Sequence, residues 1–320
     1  MSTEMLKVKN LVKYFPVRKI GKKQYVKAVD DLTFSIKTGE IFGVLGESGC
    51  GKTTLGRVIN RLEMEQSGEI QFLGQSISGR EYKEDKYFRR KMQMIFQNPY
   101  DSFDPRYMIY KSMDLPMKIN MVGIDQKRRL EKILETMNHA KLTPAESLLT
   151  RYPHELSGGQ LQRISILRSM LLNPRFVVAD ECVSMLDVSV RADVLNLLLQ
   201  VHKELDSSML FITHDISVAT YICDTIMVLY AGKIMEIGSS NDILNSPLHP
   251  YSKALVSYSP TIRKGEKERF RITGEVVTPI DPPPGCRFAS RCPVAKEKCT
   301  VEEPKLRTID NNRQVACHFV

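Results

Sequence analysis

The sequence has no uncharged apolar run approaching the roughly 20 residues that a membrane-spanning helix needs. Its longest apolar stretches, such as MLLNPRFVVAD, are broken by polar residues within a few positions. The N-terminal MSTEMLKVKNLVKYFP lacks the apolar core and small-residue cleavage site of a secretory signal. The expectation is a cytoplasmic chain whose thiols stay reduced. Internal repeats, low-complexity segments, RNP-like patterns and zinc-finger patterns are all missing. The formal charge is +9, but the basic residues are scattered (KKQYVK, FRRK, QKRR, RKGEKERFR), and no single stripe gathers them. That distribution suits solvated surface charge, a nucleic-acid or membrane-surface partner is the sharper alternative, and charge alone does not decide between them.

What is present is a pattern of strands alternating with helices. MLKVKNLV and VKAVDDLTFSI alternate like half-buried strands, and EIFGVLG is a short apolar strand running into a glycine turn. GEIQFLG, RFVVAD and SMLFITH read as further strands. DQKRRLEKILETMNHA and VRADVLNLLLQVHKEL carry helical periodicity. DTIMVLYAGKIMEIG predicts a hairpin turning at Ala231-Gly232. An α/β fold with a mainly parallel sheet follows. A helical region over about 98–172 reads as an insertion on a core spanning 1–245. A shift to proline, cysteine and charge marks 246–320 as a C-terminal extension.

Three motifs point to phosphate chemistry. GESGCGKTT, Gly46 to Thr54, fits the phosphate-loop pattern between a predicted strand and helix. Gly46, Gly49 and Gly51 let the backbone curl, so that the N–H groups of the loop, with Ser48, Cys50 and Thr54, face inward. Lys52 adds a point charge for the outer phosphates, and the Thr53 hydroxyl suits Mg²⁺. RFVVADE ends an apolar strand in two carboxylates: Asp180 suits Mg²⁺ through water, and Glu181 suits a general base. LSGGQ, with Ser157, Gly159 and Gln160, opens a helix and forms a second anion site. One nucleotide needs only one cradle, so a second is unexpected in a chain acting alone.

Phosphate loop, LSGGQ and acidic strand end, in that order, resemble the ATPase domain of ABC transporters. The resemblance implies a P-loop nucleotide-binding fold with an antiparallel β subdomain and an inserted helical subdomain. It implies two such domains facing head to tail, the LSGGQ of each completing the ATP site of the other. MQMIFQNPY then resembles the Q-loop, placing Gln97 near Mg²⁺ and the attacking water. VSMLD resembles the D-loop, and FITHD places His214 at the γ-phosphate. LVKYF makes Phe15 the adenine-stacking residue, with Tyr14 as its rival.

GESGCGKTTLGR, MQMIFQNPYDSFDPR, SPLHPYSKAL and PPPGCRFASRCPVA are similar to the oligopeptide/dipeptide permease ATPases, and more to the second ATPase subunit than to the first. The resemblance implies a heterodimer with a second ATPase beneath two transmembrane permease subunits, at the cytoplasmic face of the membrane. An extracytoplasmic binding protein would deliver short peptides. Cargo alternatives are oligosaccharides or nickel, and a soluble nucleic-acid-associated ABC ATPase is the remaining rival. Cys182 stands where relatives have proline, and Met185 where they have alanine; neither removes a chemical group that hydrolysis needs.

Four of the seven cysteines, Cys286, Cys292, Cys299 and Cys317, crowd the extension. Their spacing lacks the close C-x₂₋₄-C pairs of ordinary zinc sites. Four thiolates suit Zn²⁺ or a [4Fe–4S] cluster. The resemblance favours the cluster, acting as a clip on a tail too short and proline-rich to build a core of its own. Read from sequence, the tail has no contact with the nucleotide.

Overall fold

The computed structural model describes residues 4–19, 22–79, 86–121, 123–258, 272, 274, 278–310 and 313–320. The basic stretch RKGEKERFR, 263–271, lies outside the described residues. The strands are β1 Glu4–Lys19, β2 Lys22–Lys37, β3 Ile41–Leu45, β4 Ser67–Phe72, β5 Gln75–Ser76 and β6 Met92–Ile95. They continue as β7 Phe176–Asp180, β8 Ser208–Thr213, β9 Thr225–Tyr230, β10 Lys233–Ser239, β11 Arg307–Asp310 and β12 Arg313–Val315. Two compact units result. One joins 1–80 to 210–320, and the other is 81–209. β8 carries the chain from the second unit back into the first.

The first unit holds two sheets. An antiparallel sheet has the order β2-β1-β4-β5. Leu6, Val8, Leu32 and Ile36 of its long hairpin are fully buried, as the alternation predicts. The register shifts between Val8 and Leu11, where Asn10 and Asp31 both take positive φ and Asn10 Nδ2 donates to Asp31 Oδ1 at 2.8 Å. This paired bulge resets the alternation and keeps Leu11 inside.

The second sheet of this unit runs β11-β12-β10-β9-β3-β8. β3 pairs with β9 in parallel, whereas β9–β10, β10–β12 and β12–β11 are antiparallel. The expected mainly parallel core is therefore a mixed sheet, because a hairpin and a tail strand extend one margin. The hairpin turns at Ala231 and Gly232, with φ of 45° and 81°. Two positive φ values define the tight turn whose twist matches a two-residue hairpin.

The C-terminal extension is joined to the sheet. β12 pairs with β10 and Phe288 is fully buried. Arg313 of β12 pairs with Glu236 of β10 at 2.9 Å, and Glu236 is 0% exposed. The same carboxylate accepts from the N–H groups of Leu248 and His249 at 2.9 Å each. A buried charge without such partners costs several kcal/mol, so this network fixes the tail to the sheet.

The second unit has β6 and β7 paired in parallel, with helices around them. Its helix Gln126–His139 starts where Asp125 accepts from Arg128 N at 2.8 Å, and it buries Ile133 and Met137. Arg129 reaches Asp114 of the helix Ile109–Asn120 at 2.5 Å. The helices Gly158–Met170 and Val188–Leu205 complete the unit. Among the described residues, no helix is long and apolar enough to cross a membrane.

Candidate functional site

In the first unit the glycine loop joins β3, buried at all five positions, to the helix Lys52–Ile59. Gly51 caps that helix in the left-handed region with φ 107°, and a Cβ there would stand 2.0 Å from Ala28 O. A Cβ on Gly46 would meet Leu229 O at 2.3 Å and Cys50 Sγ at 2.7 Å. Both positions therefore admit only glycine, for space at Gly46 and for space and φ at Gly51. No side chain caps the helix start, which leaves its first turn without a capping oxygen.

Lys52 is buried, and its Nζ donates to Gly46 O at 2.8 Å and Glu47 O at 3.0 Å. The ammonium thus folds back over the loop and pulls its carbonyls together. Glycine backbone, uncapped helix start and buried ammonium form a donor set suited to a phosphate chain. Burial pushes up the pKa of the Cys50 thiol, whose residue is 1% exposed, so Cys50 packs as an apolar group.

Phe15 and Tyr14 point to opposite sides of β1 and end differently. The Tyr14 hydroxyl donates to Asp30 Oδ1 at 2.5 Å, and Asp30 is in turn paired with Arg287 and, at 3.6 Å, with Lys233. Phe15 is half-buried, with Lys13 Nζ 5.0 Å from its ring centre. At the end of β8, His214 is exposed. The next residue, Asp215, caps the following helix by accepting from Ser217 N at 2.9 Å. His214 is thereby presented on a fixed turn.

In the second unit Gln97 Nε2 donates to Glu181 Oε2 at 3.2 Å and to Ser184 Oγ at 3.4 Å. Ser184 Oγ donates to Glu181 O at 2.8 Å, which closes a small ring of polar contacts. Glu181 takes φ 44°, a left-handed conformation uncommon for a side chain of its size. Asp180 precedes it, buried at the end of β7. The structure thus brings together Gln97 and Glu181, which lie 84 positions apart. Cys182 is 1% exposed, and burial pushes its thiol up to about 12, so it fills space beside the carboxylate. Met185 is exposed instead, at 66%.

Ser157 caps the helix Gly158–Met170 in a reciprocal box with Gln160: Ser157 N donates to Gln160 Oε1 at 3.1 Å, and Gln160 N to Ser157 Oγ at 3.3 Å. A Cβ on Gly159 would stand 2.6 Å from Val190 Cγ1, whereas Gly158 faces open space. The two glycines therefore serve different ends, close packing inward and clearance outward.

Cys286, Cys292, Cys299 and Cys317 all line one cavity of about 20 Å³, with Phe288 and His249 among its other walls. Burial pushes the Cys286 thiol up to about 11 and raises that of Cys292. Four cysteines spread over the tail do converge. Among the described residues, no group of three or more His, Cys, Asp or Glu side chains stands in a metal-holding arrangement.

Sequence reasoning missed two residues that reach the phosphate loop. Tyr251 accepts a hydrogen bond from Glu47 N at 3.0 Å, and Arg291 donates to the Glu47 carboxylate at 2.6 Å. Both lie in stretches that carried the permease resemblance, SPLHPYSKAL and GCRFASRC, but nothing local marks their partner. The tail is thereby joined to the phosphate loop through Glu47.

Comparison with known proteins follows the same lines. The family model described as ABC transporter matches residues 29–184. The one described as oligopeptide/dipeptide transporter, C-terminal region, matches 235–299. The dipeptide transport ATP-binding protein DppF of Haemophilus influenzae is 42% identical, covering 100% of this chain and 98% of the relative. DppF of Escherichia coli is 41% identical over 99% and 94% of the two chains. The oligopeptide transport ATP-binding protein AppF of Bacillus subtilis is 42% identical over 98% and 97%. Among solved structures, the dimeric ATP-binding cassette MJ0796 in a post-hydrolysis state, bound to ADP and phosphate, superposes with a TM-score of 0.66. It is 28% identical and covers 74% of this chain and 99% of its own.

Proposed function

This chain belongs to the family of ABC-type oligopeptide and dipeptide transport ATP-binding proteins, and from that premise we propose that it hydrolyses ATP to power the import of short peptides. The observation that carries the reading is a complete phosphate loop in a chain whose C-terminal region matches this transporter family.

In this reading Phe15 stacks on adenine. The amides of Gly49, Cys50, Gly51, Thr53 and Thr54, with Ser48 and Lys52, neutralise the phosphate chain. Thr53, Gln97 and Asp180 would hold Mg²⁺, Asp180 through water, and the ion would supply charge for the outer phosphates. Phosphoryl transfer to water needs positioning and charge stabilisation above all. Glu181 takes the proton of the attacking water, Gln97 orients that carboxylate, and His214 contacts the γ-phosphate. Ser157, Gly159 and Gln160 complete the site of a partner ATPase, so the closed dimer binds ATP more tightly than the open one. That difference drives two permease subunits, to which this chain attaches on the cytoplasmic side. A binding protein outside supplies the cargo.

Cys286, Cys292, Cys299 and Cys317 would hold a [4Fe–4S] cluster, or Zn²⁺. Their convergence on one cavity supports this. Iron and sulfide analysis with an absorption spectrum of anaerobically purified protein decides between them. A broad visible band with four irons supports the cluster, one equivalent of zinc without a band assigns zinc, and neither leaves the thiols as packing.

The function is tested by reconstituting the chain with its permease partners in vesicles. Hydrolysis should rise with a dipeptide-loaded binding protein and not with nickel or an oligosaccharide. Stimulation by either of the latter would reassign the cargo.

A further inference from the structure

Glu47, the second residue of the phosphate loop, is held from three sides. Its carbonyl accepts from Lys52 Nζ at 3.0 Å, and its N–H donates to the Tyr251 hydroxyl at 3.0 Å. Its carboxylate takes two bonds from Arg291, at 2.6 and 3.3 Å, a two-pronged pairing that fixes orientation as well as distance. The Arg291 side chain is 8% exposed. A guanidinium so buried is costly unless paired, and Glu47 is its ion-pair partner here. The pair also holds the arginine's charge, raising its pKa further above the ordinary value.

Arg291 is itself rigidly mounted. It ends the short turn Ala289–Arg291, and its N–H donates to Phe288 O at 3.0 Å. Phe288 packs against Tyr230 and Tyr251 with ring centres 5.3 and 5.2 Å away, and those two tyrosines stand 4.8 Å apart. One aromatic cluster therefore carries both residues that grip Glu47. The turn lies between Cys286 and Cys292, and Cys286 N donates to Cys299 O at 2.8 Å. Just before the turn, Arg287 pairs with Asp30, the acceptor of the Tyr14 hydroxyl.

We propose that Arg291 is a positioning residue of the nucleotide site, which acts through Glu47 to hold the phosphate loop and makes the cysteine-bearing turn part of the ATP-binding apparatus. Neither the phosphate-loop pattern nor hydrolysis requires a partner at Glu47, whose position in the motif is free. A loop held open by a remote arginine pays less ordering entropy on binding phosphate. Loss of the arginine therefore weakens nucleotide binding and spares the chemical step. This rests on the reading of the loop as an ATP site.

The test is equilibrium binding of Mg·ATP to the full chain, with kcat and KM from the assembled transporter. Arg291→Ala should raise Kd and KM about tenfold with kcat within twofold, and Arg291→Lys should recover most of the loss. Glu47→Gln breaks the pair from the loop side with the tail untouched. It should weaken binding similarly, and the double variant should be no weaker than the worse single. Arg307→Ala removes a bond to Cys317 O elsewhere in the tail and should leave affinity unchanged. Unaltered affinity in a folded Arg291→Ala, additive losses in the double variant, or an equal loss in Arg307→Ala would overturn the proposal. Should Arg291→Ala fail to fold, Glu47→Gln alone decides. Wild-type chain that binds no ATP would defeat the nucleotide reading instead.

Discussion

Gln97 Nε2 lies 3.2 Å from Glu181 Oε2, and Ser184 bonds to both residues. An amide that donates to one carboxylate oxygen fixes how the Glu181 side chain is turned. Replacing Glu181 by Gln preserves the shape and removes the proposed base. Glu181→Gln should bind ATP as the wild type does and hydrolyse it at least 100-fold more slowly. Gel filtration with ATP should show the dimer accumulating; near-normal steady-state turnover would remove Glu181 from the role of base.

Tyr14 is tied by its hydroxyl to Asp30, whereas Phe15 has the Lys13 ammonium 5.0 Å from its ring centre. Phe15→Ala should therefore raise the ATP KM about tenfold, the scale of a lost stacking contact of 1–1.5 kcal/mol. Tyr14→Phe, which loses the bond to Asp30 and keeps the ring, should change KM by less than threefold. The reverse ranking would make Tyr14 the stacking residue.

Cys182 follows Glu181 in the chain, with its thiol pushed up to about 12 by burial. At pH 8 about one molecule in ten thousand then carries the thiolate, the form that reacts. Native protein should show no alkylation of Cys182 by iodoacetamide under conditions that fully label it after unfolding, as read by peptide mass spectrometry. Rapid native labelling would mean that this strand end opens to solvent.

Arg313 compensates Glu236 inside the sheet at 2.9 Å. Arg313→Ala leaves that carboxylate buried with backbone donors alone, and the expected loss is about 3 kcal/mol of stability. Denaturant unfolding measures it. The double variant Arg313→Leu/Glu236→Leu should recover part of the loss, because neither charge is then stranded.

Local sequence was enough for elements whose reasons are local. β3, β7 and β8 are short apolar runs ending in glycine or polar residues, and the Ala231-Gly232 turn declares its positive φ values through its residue types. Gly46 and Gly51 were legible as a motif, though not the carbonyls of Leu229 and Ala28 that enforce them. β6 is not legible as a strand, because four residues give too little alternation to separate it from a loop. Contacts made by charge across long separations left no trace at all. Arg291 and Glu47 are 244 positions apart, and Arg313 and Glu236 are 77 apart. Neither pair produces a period or a spacing. From sequence the tail is thiols on a proline-rich segment, whereas in the structure its arginines also join it to the core.

The pairing of β12 with β10 has a consequence for how the chain is made. Translation delivers Glu236 well before Arg313, with 77 positions between them. Until the last strand emerges from the ribosome, β10 has one unpaired edge and its carboxylate lacks its cation. An interruption of synthesis in that interval yields a chain with its complete phosphate loop but an open sheet edge, a template for aggregation. Because the tail bears the arginine that grips Glu47, the phosphate loop gains that contact only when almost the whole of this sequence has been synthesised.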